Sequence, residues 1–326
     1  MNGRSTRPKL GLALSGAAAR SVFYVGFLEV LQENDVTVDV IAAQSGASVV
    51  AASFACGTLE KLKHDLFTMS WPRLRALLGR AKKGGYYTLD IVEEYFREHY
   101  TLSKTFDAVS PQLYFVASDL NSGETVPLAI GDLARGMRVT CSVPGIFSPV
   151  QWGSRHLVDG GLLSVIPGKL AREAGVDVVV GVDAKATRHI FLASHMRLRG
   201  WYNFARNELV MGPVTRGWSL FRRVFTSGGA DDYLEAIDLF PEDETGGHSW
   251  LKVLGRSLDL ASKAEAASAK NTDNFGCDVI ISQGLGKFGD SVSIANIKGL
   301  YEEGRQTALD NLPRIQSLLQ QAASNK

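Results

Sequence analysis

At 326 residues, 45% hydrophobic and 21% charged, the chain is long enough to bury one large α/β core or two smaller ones. Its net charge of +1 gives no general attraction to nucleic acid. Three widely spaced cysteines, Cys56, Cys141 and Cys277, form no CxxC pair, which argues against a disulfide framework or a zinc site and fits a reducing compartment.

Met1 to Lys9 reads as a basic, polar tail without a signal-peptide core. Leu10–Leu14 is a short apolar strand. From Arg20 to Asn34, Val22, Val25, Leu28 and Leu31 recur at helical spacing. Val38–Ala42 is a second strand leading into Ser45, and Gly46–Cys56 a tight helix ended by Gly57. Leu113–Ala117 is a further strand, and Val176–Val182 a near-continuous β-branched run suited to a strand buried on both faces. Strands alternating with helices point to an α/β fold with a mostly parallel sheet covered on both sides.

The segment at about 188–247 breaks this pattern with mixed basic and aromatic residues, then an acidic stretch, and reads as an inserted or lid-like segment of one domain, 10–326. Beyond it, Trp250–Ala269 reads as a helix, Asp278–Ser282 as a last strand and Leu300–Gln321 as a closing helix. No run of about twenty uncharged apolar residues suggests a spanning helix. The expected location is cytoplasmic, with peripheral contact at the inner face of a membrane left open.

The most informative segment is Val40–Ser48. An apolar run ends in a serine among small residues and a helix follows, the layout of a nucleophile elbow. The G-x-S-x-G pattern reads Ala43-Gln44-Ser45-Gly46-Ala47 here. If Ala43 or Ala47 needs positive φ, about 1–2 kcal/mol of strain follows; otherwise the change is nearly free.

A serine nucleophile needs a base and backbone N–H groups aimed at the developing oxyanion. Ser15-Gly16-Ala17-Ala18-Ala19-Arg20-Ser21 opens a helix with small residues and suits either an oxyanion hole or an ordinary tight turn. None of the histidines His64, His99, His156, His189, His195 and His248 sits in a triad context. Asp159, before Gly160 and Gly161, is either an acid beside a sharp turn or a plain Asp-Gly turn.

Four segments in order resemble the patatin-like phospholipase family, in particular compact bacterial members related to the neuropathy target esterase catalytic domain. They are Leu12–Ser21, Val40–Ala47, Val143–Val150 and Leu157–Gly161, with the Asp119–Glu124 turn as a further likeness. The resemblance spans roughly Lys9 to Asp183 and resumes more weakly from Trp250. It implies a three-layer α/β/α patatin-like fold and hydrolysis of lipid acyl esters, phospholipase A or lysophospholipase-like, through an acyl-enzyme and without cofactor or metal. It further implies Ser45 as nucleophile, Asp159 as base, and an oxyanion hole at Gly16, Ala17 and Ala18. Arg20, Gly46, Gly160 and Gly161 take supporting places, Arg20 either steadying the loop, receiving an anionic head group or pairing with a nearby acid. Ala17 and Ser21 stand where the family usually has glycine.

The basic and aromatic residues at 188–225 suit a lipid interface, or a core or dimer contact. Trp71, Tyr95 and Phe96 read as core aromatics and Arg80–Lys83 as a solvated charge run. A non-catalytic scaffold binding lipid or a protein partner is the alternative reading. A Rossmann-type nucleotide turn is disfavoured because no G-x-G-x-x-G is present.

Overall fold

The structure is a computed structural model and describes residues 7–80, 84–85, 87–184, 253, 256–257, 260, 274–283, 285 and 296–326. The segment 188–247 lies outside the described residues. So does most of the helix expected over Trp250–Ala269, of which Val253, Arg256, Ser257 and Leu260 are described and helical.

The first half of the chain alternates strand and helix as its pattern dictates: β1 (Leu10–Leu14), α1 (Val22–Glu33), β2 (Val40–Ala43) and α2 (Gly46–Cys56). Then come α3 (Leu59–Phe67), α4 (Trp71–Leu77), the short pair β3 (Gly79–Arg80) and β4 (Tyr87–Thr88), and α5 (Asp90–Phe96). They are followed by β5 (Gln112–Asp119), β6 (Thr125–Leu128), α6 (Leu133–Thr140), β7 (Val150–Trp152) and β8 (Arg155–Asp159). The described chain closes with α7 (Gly168–Glu173), β9 (Val178–Asp183), β10 (Val279–Ser282) and α8 (Ile297–Ser324).

Five strands, β10, β9, β1, β2 and β5, pair in parallel in that order. Antiparallel β6 and β8 both join β5, and β7 joins β8, completing a mostly parallel eight-stranded sheet. The parallel strands are covered on both faces, as buried continuous apolar runs require. On one face Leu10, Leu12, Leu14, Ile41 and Val180 pack against α1, α2 and α8. On the other, Ala13, Val40, Ala42 and Val179 pack against Ala171 of α7. The result is the expected three-layer α/β/α arrangement.

The outer layer is itself tightly joined. A methyl group at Gly304 of α8 would stand 1.9 Å from the Phe23 carbonyl oxygen, so α1 and α8 touch backbone to backbone. Phe23 and Phe27 are fully buried there, each stabilising the fold by roughly 1.5–3 kcal/mol.

β1 and α2 have the bounds expected from the sequence, and Gly57 ends α2 at φ +77°, the left-handed cap that glycine supplies most readily. The short strands β6, β7 and β8 were not expected, because at three to five residues their pairing depends on distant partners. Among the described residues no helix is long and apolar enough to cross a membrane.

Candidate active site

Ser45 sits between the end of β2 and the start of α2 at φ +54°, ψ −140°. That conformation is strained for any residue with a Cβ, by about 1–3 kcal/mol, and persists only when neighbours over-determine it. Three anchors do so. The Ser45 N–H donates to the Thr140 hydroxyl at 2.9 Å. The Ser45 carbonyl accepts from the Ser48 hydroxyl at 2.7 Å and from the Ser48 N–H at 2.9 Å. The adjoining Gln44 is buried, and its amide donates to the Ser164 and Val165 carbonyls at 3.0 and 3.2 Å. Ser45 itself is half-buried.

Neither Ala43 nor Ala47 has positive φ; within these two motifs the positive-φ residues with a side chain are Ser45 and Ala18, at φ +54° and +48°. Within the elbow, Gly46 is the glycine with no room for a side chain. A methyl group there would lie 2.7 Å from the Ala18 carbonyl oxygen and 3.0 Å from the Ser21 hydroxyl. Helix α2 therefore starts hard against the small-residue turn that follows β1.

That turn brings the first motif to the second. A methyl group at Gly16 would stand 3.2 Å from the Ser45 Cβ. Ala17 has φ −138°, and a 3-10 turn runs over Ala18–Ser21 with buried Arg20 inside it. None of the Gly16, Ala17 and Ala18 amides donates to another described residue. The base of the turn is fixed by a buried network that sequence reasoning missed. The Tyr24 hydroxyl donates to the Ser15 carbonyl at 2.8 Å and accepts from the Ala184 N–H at 3.2 Å, while the Ser15 hydroxyl donates to Asp183 at 2.7 Å. Burial first, and the Asp183 charge second, hold the Tyr24 phenol well above its ordinary range, so it stays neutral. Its sequence signal was a tyrosine within the apolar run Val22–Leu28 that opens α1.

Asp159 ends β8 at an unstrained φ of −49° and is buried, with 6% of its surface exposed. Its carboxylate accepts the Gly161 N–H at 2.8 Å, and its N–H donates to the Ser142 carbonyl at 2.9 Å. Strand register locates it relative to the elbow. Phe115 of β5 pairs with Ala43 of β2 and with Leu128 of β6; Ala117 pairs with Val126 of β6 and with Asp159 of β8. A strand residue has two edges, so β2 and β8 lie end to end along the edge of β5 opposite β6. Ala43 and Asp159 are thus two β5 residues apart, roughly 7 Å along one strand, and Ser45 turns out of the sheet at the seam between them. Gly160 closes the seam: a methyl group there would stand 2.1 Å from the Val116 carbonyl oxygen.

Cys141 is close to the Asp159 carboxylate and the Ser48 hydroxyl; burial, then the Asp159 charge, push its thiol far above the ordinary range. Of the described histidines, His64 lies on α3 and His99 packs edge-on against Tyr95, ring centroids 4.3 Å apart. His156 meets Asn121 at 3.3 Å and, three residues before Asp159, points to the opposite face of β8. His189, His195 and His248 lie outside the described residues. Tyr95, expected as a core aromatic, is only partly buried against the core, and its hydroxyl donates to Asp65 at 2.9 Å.

Comparison with known proteins places these motifs. Residues 12–172 match the family model described as Patatin-like phospholipase. An uncharacterized NTE family protein of Mycobacterium bovis is 29% identical over 190 residues, 55% of this chain and 50% of that one. The lysophospholipase NTE1 of Saccharomyces cerevisiae is 21% identical over 192 residues, 53% of this chain and 11% of that one. The chain thus spans half or less of the length of these relatives. A human GIVD cytosolic phospholipase A2 structure aligns with 98% of this chain and 63% of its own at 9% identity and a TM-score of 0.47, too distant to carry an argument. The chain carries, over residues 12–172, a domain of the patatin-like phospholipase family.

Proposed function

We propose that the protein is a serine acyl hydrolase that cleaves fatty acyl esters of lipids, in the manner of a phospholipase A or lysophospholipase, through a Ser45–Asp159 dyad. The family supports a lipid ester as substrate. The single observation that carries the dyad is the seam on β5, where β2 ends in the strained serine turn and β8 ends in a buried aspartate along the same strand edge.

In this reading Ser45 Oγ attacks the acyl carbonyl while Asp159 takes the hydroxyl proton. The Gly16, Ala17 and Ala18 amides face the developing oxyanion. Collapse of the tetrahedral intermediate expels the alcohol, which receives the proton back from Asp159, and leaves an acyl-Ser45 ester. Water, deprotonated by Asp159, then releases the fatty acid and restores the serine. A buried carboxylate suits the base, because partial desolvation favours its taking up a proton. Arg20 and Gly46 steady the turn; Gly160 and Gly161 shape the acid turn.

The alternative of a non-catalytic scaffold drew its weight from the substituted glycines; of these, Ala43, Ala47, Ala17 and Ser21 all lack the positive φ that would demand glycine. Peripheral membrane contact through 188–225 and a cytoplasmic location remain part of the proposal, since the substrate is a lipid.

The test is hydrolysis of p-nitrophenyl esters and phospholipid by the wild type, Ser45→Ala and Asp159→Asn, with fluorophosphonate labelling of Ser45. Each substitution is expected to remove at least about a thousandfold of kcat. Full activity in both variants would overturn the dyad.

A further inference from the structure

We propose that Thr140 is a positioning residue of this site: its hydroxyl replaces one rung of the sheet and sets the spacing of Ser45 from Asp159. The proposal rests on the reading of Ser45 as nucleophile. Its geometry comes from the β2–β5 ladder.

That ladder begins with the Gln112 N–H donating to the Asp39 carbonyl at 2.9 Å, in register with Val40↔Gln112 through Ala43↔Phe115. In a parallel pair the rungs alternate in direction every residue pair. Carried forward, the alternation assigns the Ser45 N–H to the Val116 carbonyl as the next rung. The chain leaves the sheet at Ser45, so that rung is open. The Thr140 hydroxyl is inserted into it, accepting from the Ser45 N–H at 2.9 Å and donating to the Val116 carbonyl at 2.6 Å. It spends its one hydrogen and one lone pair on the two groups that the turn separates.

The insertion has a geometric consequence. A direct rung would hold Ser45 at ladder distance from β5. One hydroxyl in series moves it outward by about one hydrogen-bond length, roughly 2.7–3 Å. The same Val116 carbonyl abuts the acid turn on its other side, where Gly160 leaves no room for a side chain. One carbonyl oxygen therefore references both Ser45, through Thr140, and Asp159, through Gly160. Thr140 is completely buried at the last turn of α6, so water has no ready access to replace its hydroxyl.

The decisive comparison is Thr140→Val, which keeps the shape and removes the hydroxyl, against Thr140→Ser, which keeps the hydroxyl. Thr140→Val is expected to lower kcat about 10- to 100-fold with KM within about twofold. Fluorophosphonate labelling of Ser45 should slow in parallel, and Thr140→Ser should stay within about threefold of wild type. In hydrogen exchange, the Ser45 amide should be protected in wild type and Thr140→Ser and unprotected in Thr140→Val. A Thr140→Val enzyme with wild-type kcat overturns the proposal, and so does a Thr140→Ser enzyme as impaired as Thr140→Val. If Thr140→Val does not fold, rapid exchange of the Ser45 amide in wild type overturns it alone. A wild-type chain that takes no label at Ser45 sinks the nucleophile reading instead, while exchange still decides the rung. Label on wild type and Thr140→Val at equal rates sinks only the role of Thr140.

Discussion

The two ends that meet at the β5 seam are built in opposite ways. The serine end is strained: Ser45 holds positive φ, pinned by Ser48 three residues on and, through its own N–H and the Gln44 amide, by Thr140, Ser164 and Val165 far along the chain. The aspartate end is unstrained and fixed from afar, by the β5–β8 ladder and by the contact of Gly160 with Val116, some forty positions away in sequence. Backbone strain at one end and a tight but unstrained fit at the other means that substitutions should fail differently on the two sides.

The largest effect is expected at the fitted end. Gly160→Val would drive a side chain into a carbonyl oxygen that already leaves only 2.1 Å for a methyl group. Because backbone on both sides must yield, destabilisation of about 3 kcal/mol or more is expected. A denaturant titration beside an activity assay would read it, and an unchanged midpoint would break the contrast. Gly46→Ala comes next. Its methyl would press on the Ala18 carbonyl at 2.7 Å, costing about 1–2 kcal/mol and displacing the turn against Ser45, so esterase kcat should fall more than stability alone explains.

Restoring glycine separates real strain from mere departure from a motif. Ala18→Gly relieves a residue at φ +48° and should raise the melting temperature, by up to about 1 kcal/mol of stability. Ala43→Gly restores the familiar elbow pattern yet relieves nothing, and removes a buried methyl from a strand interior. It should lower stability by about 0.5–1 kcal/mol without faster labelling of Ser45. The reverse ranking in thermal melts would show that the elbow strain had been misplaced.

The smallest effect concerns Cys141. Its thiol is held protonated mainly by burial and secondly by the Asp159 charge. A raised thiol pKa means little thiolate below that pKa, so alkylation at pH 8 should be slow. Asp159→Asn removes the nearby negative charge, lowers the thiol pKa and should speed alkylation of the half-buried Cys141 several-fold. No acceleration would place the charge of Asp159 farther from Cys141 than the site requires.

Much of the serine end was legible in the sequence because its signals are local. An apolar run, a serine among small residues and a small-residue helix capped by glycine fall within Val40–Gly57, and β2, the elbow and α2 follow from them. The aspartate end was legible only as a motif. Nothing near Leu157–Gly161 announces that its strand continues the edge that β2 vacates, since three- to five-residue strands have no periodicity of their own. Thr140 and Tyr24 were invisible for the same reason: their partners, Ser45 and Val116 for one and Ala184 for the other, are distant in the chain.

By itself, then, the sequence determined the parallel strand–helix layout and the serine turn, because apolar periodicity, small side chains and glycine caps act over a few residues; Asp159 as the acid came only from the family resemblance. Tertiary structure alone decided that β2 and β8 share one edge of β5, that Gly46 rather than position 43 or 47 demands glycine, and that a threonine hydroxyl fills the rung between. Those features depend on hydrogen bonds and close contacts between segments tens of residues apart, which no local pattern of side chains encodes.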